Sequence, residues 1–186
     1  MHLLKNAALL LAAVLIANAS FCQNMDNMVE VGGSPMYPSR NIIQNAVNSK
    51  DHSTLVAAVK AAGLVETLEG KGPFTVFAPT NEAFDLLPPG TVQMLLQSDN
   101  KAKLSGILTY HVVAGKLDAR ELAARIKAGN GTAELQTVSG GKLWVMMKGK
   151  NIVIKDEHAG MAMVTIADVY QSNGVIHVID HVLLPE

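Results

Sequence analysis

The stretch Asn173-Gly174-Val175-Ile176-His177-Val178-Ile179-Asp180-His181-Val182-Leu183-Leu184-Pro185 reads as a turn, a strand and a proline stop. Asn-Gly is strong turn chemistry, and Val175, Ile176, Val178, Ile179 and Val182 are β-branched residues that favour extended chain. Alternation puts Val175, His177, Ile179, His181 and Leu183 on one face, and Ile176, Val178, Asp180, Val182 and Leu184 on the other. Both faces are mainly apolar, the pattern of an interior strand covered on both sides. His177, Asp180 and His181 then need hydrogen-bond partners inside the protein, because a buried polar group left without one costs about 1–3 kcal/mol. A metal shared by the two histidines is excluded. Four residues of strand span roughly 13 Å, whereas zinc-bound nitrogens each lie about 2 Å from the ion.

Working outward, Thr75-Val76-Phe77-Ala78 is a second strand, ended by Pro79-Thr80, and Thr80 or Asn81 can cap a helix over 81–87. Between these two strands the period is first helical and later two. Helices are predicted over 39–50 with Ser39 as cap, then on Leu55, Val56, Val59 and Ala62 with Gly63 as a left-handed stop, a further turn at 64–68, and over 91–96 and 101–108. Tyr110-His111 leads into the strand Val112-Val113, which turns the two side chains to opposite faces. Asp118 opens another helix with Glu121 in capping-box position, and Gly129-Asn130-Gly131 ends it. After that come strand runs at 135–137, 143–146, 152–154 and 164–166. Ser139-Gly140-Gly141 and Lys148-Gly149-Lys150-Asn151 are hairpin turns between them. Helices first and hairpins later make the class α+β, without alternating parallel units.

The chain of 186 residues suits one domain. Residues 1–19 read as a secretory signal peptide: Lys5, an apolar run over 7–16 too short to span a bilayer, and the small-x-small site Ala17-Asn18-Ala19. No transmembrane segment is expected once it is removed, and the product is secreted, periplasmic or cell-surface. Residues 20–38, with Gly32-Gly33-Ser34-Pro35, read as a flexible linker, and 39–186 as the domain. Cys22 is the only cysteine, so no internal disulfide is available and the core alone must hold the fold. Loss of the signal leaves 14 Lys and Arg against 16 Asp and Glu, which gives nucleic acid no electrostatic footing. Aromatics are 4% of residues, so aliphatic side chains fill the core.

No catalytic set emerges. There is no Gly-x-Ser-x-Gly elbow, Gly70-Lys71-Gly72-Pro73 lacks the length and ending of a phosphate loop, and Cys22 lies in the tail. Lys142, Lys148, Lys150 and Lys155 cluster in the hairpin region. They could attract an acidic polysaccharide, or serve only to deter edge-to-edge pairing.

Three of these segments, in this order, resemble the fasciclin domain family (beta-Ig-H3/fasciclin): Thr75–Phe84, the pair Tyr110-His111, and Asn173–Pro185 with its Asn-Gly turn and His-x-Ile-Asp strand. The resemblance covers about 39–186 and is to a single-domain, exported, bacterial type of member. It implies a wedge-shaped α+β fold with a small β-sandwich packed against a helical bundle. It also implies an adhesion module without catalytic activity or cofactor, monomeric or weakly oligomeric, whose partner is a cell-surface or matrix protein or glycan. In animal relatives partner binding falls on an Asp-Ile pair before the Asn-Gly turn and on the tyrosine–histidine region, which implies Asp168, Val169, Tyr110 and His111 here. Ile166-Ala167 departs from the polar or Glu-Pro residues of those relatives. An alternative function from another class is carriage of a small apolar ligand or lipid in the cell envelope, in a pocket lined by the aliphatic side chains.

Overall fold

The strand β9 (Gly174–Ile179) is buried along its whole length. The computed structural model describes residues 28–186; the expected signal segment 1–19 and Cys22 lie outside the described residues. β9 runs parallel to β3 (Phe74–Pro79) and antiparallel to β8 (Met161–Gln171). With β4 (Val112–Ala114), β5 (Thr132–Gln136), β6 (Lys142–Lys148) and β7 (Asn151–Lys155), the sheet order is β4-β3-β9-β8-β7-β6-β5. Val113 also bridges Thr137, and the Val138 N–H donates to the Val112 carbonyl at 2.7 Å, so the two ends of the sheet meet. β8 makes the curl possible. Its register against β9 shifts twice, between Val164 and Ile166 and between Ile166 and Val169, and such bulges bend a strand. The expected sandwich is therefore two halves of one curled sheet.

Alternation along the central strands divides the interior in two. Val76, Ala78, Ile176 and Val178 face a core shared with the helices, whereas Phe77 and Ile179 face a core enclosed by the sheet. The same alternation continues past the end of β9. Leu183 joins the sheet core, and Val182 and Leu184 pack on the helical one. Asp180 and His181 leave the pattern where the strand stops. The His181 side chain is 52% exposed and meets the Asp180 carboxylate at 2.8 Å, so only His177 of the three has the buried role expected.

Seven helices are described: α1 (Ile42–Ala46), α2 (Ser53–Ala62), α3 (Val65–Glu69), α4 (Asn81–Asp85), α5 (Thr91–Leu95), α6 (Lys101–Tyr110) and α7 (Ala119–Ala128). α1 starts later than predicted. Asn41, not Ser39, is its cap, exchanging bonds with Gln44 in a full capping box. Gly63 closes α2 in the left-handed region as expected. Thr80 caps α4 through the Ala83 N–H, and Asp118 caps α7 through the Glu121 N–H. Glu121 turns forward to Arg125 at 2.8 Å.

Part of the expected linker is ordered structure. Val29–Val31 and Ser34–Met36 form a hairpin, β1 and β2, whose Val31 and Met36 are buried in the helical core. The reason is that the flanks of Gly32-Gly33 are apolar and can cover the open side of α1.

Asn173 ties the two layers together. Its side-chain carbonyl accepts from the Ile42 N–H at the start of α1, and its amide donates to the Leu68 and Gly70 carbonyls at the end of α3. The turn before β9 is thereby a cap for two helices.

Candidate functional site

Tyr110 and His111 do not sit on a strand. Tyr110 is the last residue of α6 and His111 its cap, and the chain enters β4 only afterwards. Both side chains are buried. The Tyr110 hydroxyl donates to the Lys142 carbonyl at 2.6 Å and accepts from the Glu157 N–H at 3.1 Å. Burial pushes its phenol up to about 12, with the nearby Glu157 and Asp156 carboxylates adding to the effect and the Glu157 N–H opposing it. The His111 ring donates from Nδ1 to the Ile107 carbonyl at 2.8 Å and accepts at Nε2 from the Leu183 N–H at 3.0 Å. That pair of bonds requires the neutral ring, and burial holds the imidazole down at about 4. The pair thus bolts α6 to β6 and to the C-terminal segment, with the polar atoms of both side chains engaged inside the protein.

Asp168 and Val169 part company. Val169 is 1% exposed and belongs to the helical core. Asp168 is half-buried in the bulge of β8, at φ 60°, a left-handed conformation that a non-glycine residue holds only when its surroundings enforce it. The enforcement is visible. Its carboxylate accepts from the Ala119 N–H, an orphan donor of the first turn of α7, at 2.7 Å. Its own N–H donates to His177 Nδ1 at 3.4 Å, and His177 Nε2 donates to the Leu117 carbonyl at 2.8 Å. The His177 ring stacks on Phe77 with centroids 5.8 Å apart, and burial lowers its pKa. Thr75 completes the assembly, donating to the Gly115 carbonyl and accepting from the Leu117 N–H. Asp168 and His177 are therefore parts of one clamp on the loop before α7.

Outside this framework the described residues offer two other features. The first is the outer face of β5–β8. Cross-strand register aligns Thr132, Met146, Val153 and Met163 in one row, and Glu134, Trp144, Lys155 and Met161 in the next. The residues between them (Leu135, Leu143, Val145, Ile152, Ile154, Ala162) point into the sheet core. Val153 is only 5% exposed yet belongs to neither core, and it lies between Met146 and Met163 in its row. Met161 is 54% exposed and Met163 37%. Lys142 pairs with Glu134 at 3.0 Å, while Lys148, Lys150 and Lys155 make no ion pair among the described residues. A concavity of about 310 Å³ lies beside Trp144, between Thr132, Met146, Lys155 and Glu157.

The second feature is an apolar groove of about 680 Å³ between α4, α5, α6 and residues 182–186. Phe84, Leu95, Leu104 and Leu108 are buried along it, and Met94 stands 42% exposed at its side. Gly106 also lines it, in the middle of α6. A Cβ at Gly106 would meet nothing within 4 Å, and its φ is not left-handed. An interior helical glycine costs about 0.5–1 kcal/mol relative to alanine, so this position weakens α6 without any steric need of the fold.

The sequence marks the outer face through the cluster Lys142, Lys148, Lys150 and Lys155 and through the alternation of Lys142, Trp144, Met146 and Lys148 with Leu143 and Val145, and it raises an apolar pocket without placing it. The groove had no local signal, since its walls come from segments about 100 residues apart.

The chain matches the fasciclin domain over residues 50–185. It is 50% identical to the protein sll1483 of Synechocystis sp. over 144 residues, covering 77% of this chain and 73% of that one. To immunogenic protein MPB70 of Mycobacterium bovis it is 36% identical, over 75% of this chain and 66% of the relative. To transforming growth factor-beta-induced protein ig-h3 of Sus scrofa it is 41% identical, over 72% of this chain and 17% of that longer protein. A solved domain pair from the insect cell adhesion molecule fasciclin I superposes with a TM-score of 0.70 on 80% of this chain and 52% of that one, at 22% identity, which shows the fold. With its α+β architecture and three signature segments in these positions, the chain belongs to the fasciclin domain family.

Proposed function

We propose that this chain is an exported cell-surface or matrix interaction module, and that the outer face of β5–β8 is its contact surface. The observation that carries the reading is the outer-face stripe of Trp144, Met146, Met161 and Met163 around the buried Val153, bordered by Lys148, Lys150 and Lys155. Contiguous exposed apolar area rimmed by polar groups is uncommon on a protein that meets no partner. Tryptophan and methionine are enriched at interfaces, and a central tryptophan is a frequent energetic anchor. The unpaired lysines favour a protein or glycan that carries carboxylates or sulfates. Export is supported by the charge, the apolar run and the small-residue site of residues 1–19. Adhesion is supported by the likeness to a structure from an insect cell adhesion molecule. A non-catalytic role is supported by the engagement of His111 and His177, whose ring nitrogens all hold backbone groups.

The test is attachment of beads coated with the protein to a panel of matrix proteins and to neutral and acidic polysaccharides. Trp144→Ala and Lys155→Glu should each weaken attachment at least tenfold while the melting temperature stays within about 2 °C. Attachment to no surface of the panel, or attachment indifferent to both substitutions, would remove the proposal.

A further inference from the structure

The apolar groove carries a separate function, and three observations converge on it. Its size, about 680 Å³, lies within the range of small-molecule sites, and its walls are aliphatic and aromatic. Its helical wall is kept low by Gly106, where neither backbone conformation nor a close neighbour asks for glycine. A larger residue there would be easier on the helix and would fill the groove. The third observation is charge. Lys103 stands one turn before Gly106 on the same side of α6, lines the groove, and makes no ion pair among the described residues.

The other titratable groups along the groove are differently placed. Both ring nitrogens of His111 are bonded to the backbone, and His158 Nε2 is bonded to the Pro185 carbonyl at 2.8 Å. Glu186 brings the one carboxylate side chain among the lining residues, on the C-terminal segment rather than on α6, and its N–H is held by Glu157. Lys103 is thus the cation among the lining residues that has no partner. An apolar groove with one unpaired ammonium on its helical wall is complementary to an amphiphile with one anionic end. We propose that the groove binds a long-chain fatty acid, the acyl chain along Phe84, Leu95, Leu104 and Leu108 and the carboxylate on Lys103. This goes beyond the adhesive reading, which uses another face of the domain.

The experiment uses the full chain and a fluorescent fatty acid, 11-(dansylamino)undecanoic acid, displaced by palmitate or by hexadecanol. The expected result is saturable binding of one equivalent, displaced by palmitate. Gly106→Leu should weaken it at least tenfold without lowering the melting temperature. Lys103→Glu should weaken palmitate at least tenfold and hexadecanol less than threefold. Absence of saturable binding overturns the proposal, and so does an affinity within twofold of the parent in Gly106→Leu. Equal loss of palmitate and hexadecanol in Lys103→Glu overturns the assignment of the carboxylate. Displacement by an amphipathic peptide but not by palmitate would assign the groove to a protein partner instead. Trp144→Ala should leave fatty-acid binding unchanged, so failure here and failure of the adhesive reading are separable.

Discussion

Replacing His177 by alanine removes a side chain with no exposed surface. Two losses add. The Leu117 carbonyl, which accepts from His177 Nε2 at 2.8 Å, is left buried without its donor, a loss of about 1–3 kcal/mol. The imidazole also leaves a hole against Phe77, and deleting a large buried side chain costs about 2–4 kcal/mol in transfer and cavity terms. The sum is roughly 3–7 kcal/mol, or a fall in melting temperature on the order of 6–28 °C for a domain of this size. His177→Phe separates the two losses. It refills the hole but restores no bond, so it should retain only the part due to hydrogen bonding, about 1–3 kcal/mol. Urea unfolding at pH 7, followed by far-ultraviolet circular dichroism, measures both. A loss under about 1 kcal/mol in the alanine variant would refute the reasoning, because neither the bond nor the burial could then be contributing as described.

Other expectations follow from the same geometry. His111 is held down at about 4 by burial, against an ordinary value of 6.5, so its contribution is full above pH 6.5 and is lost as pH falls through 4. For His111 alone that is about 3 kcal/mol, and His52 and His177 shift in the same direction, so stability should fall steeply between pH 6.5 and 4. His111→Gln should flatten this slope; an unchanged slope would remove His111 from the account. Asn173→Ala frees the Ile42 N–H and the Leu68 and Gly70 carbonyls, and should cost about 2–4 kcal/mol with the earliest hydrogen exchange in α1. Gly141→Ala places a Cβ 2.7 Å from the Tyr110 ring and should cost about 1–3 kcal/mol, read as a lower urea midpoint.

Much of the architecture is legible in the residues. β-branched alternation at 175–179 names an interior strand because both of its faces are apolar, and the structure covers one with helices and the other with sheet. Gly63 and Thr80 punctuate helices for local reasons, which a sequence displays directly. What fails is what depends on distant segments. Tyr110 and His111 are adjacent and polar, which suggests a surface, yet their partners Lys142, Glu157 and Leu183 lie more than 30 residues away and draw both inside. Asp168 reads as an exposed acid until the orphan N–H of Ala119 is brought to it by a fold that no local pattern encodes. His181 continues the alternation in sequence, but β9 ends at Ile179 and the chain turns away.

The buried histidines and Asp168 hold the domain together, and the outer face of β5–β8 is the proposed contact surface. Hydroxyl-radical footprinting of the protein free and attached to its surface tests it directly, because Trp144, Met161 and Met163 are readily oxidised side chains on that face. Attachment should protect those three at least fivefold and leave Tyr170, beside Asp168, unchanged. Protection of Tyr170 with Trp144, Met161 and Met163 oxidised as in the free protein would contradict the account.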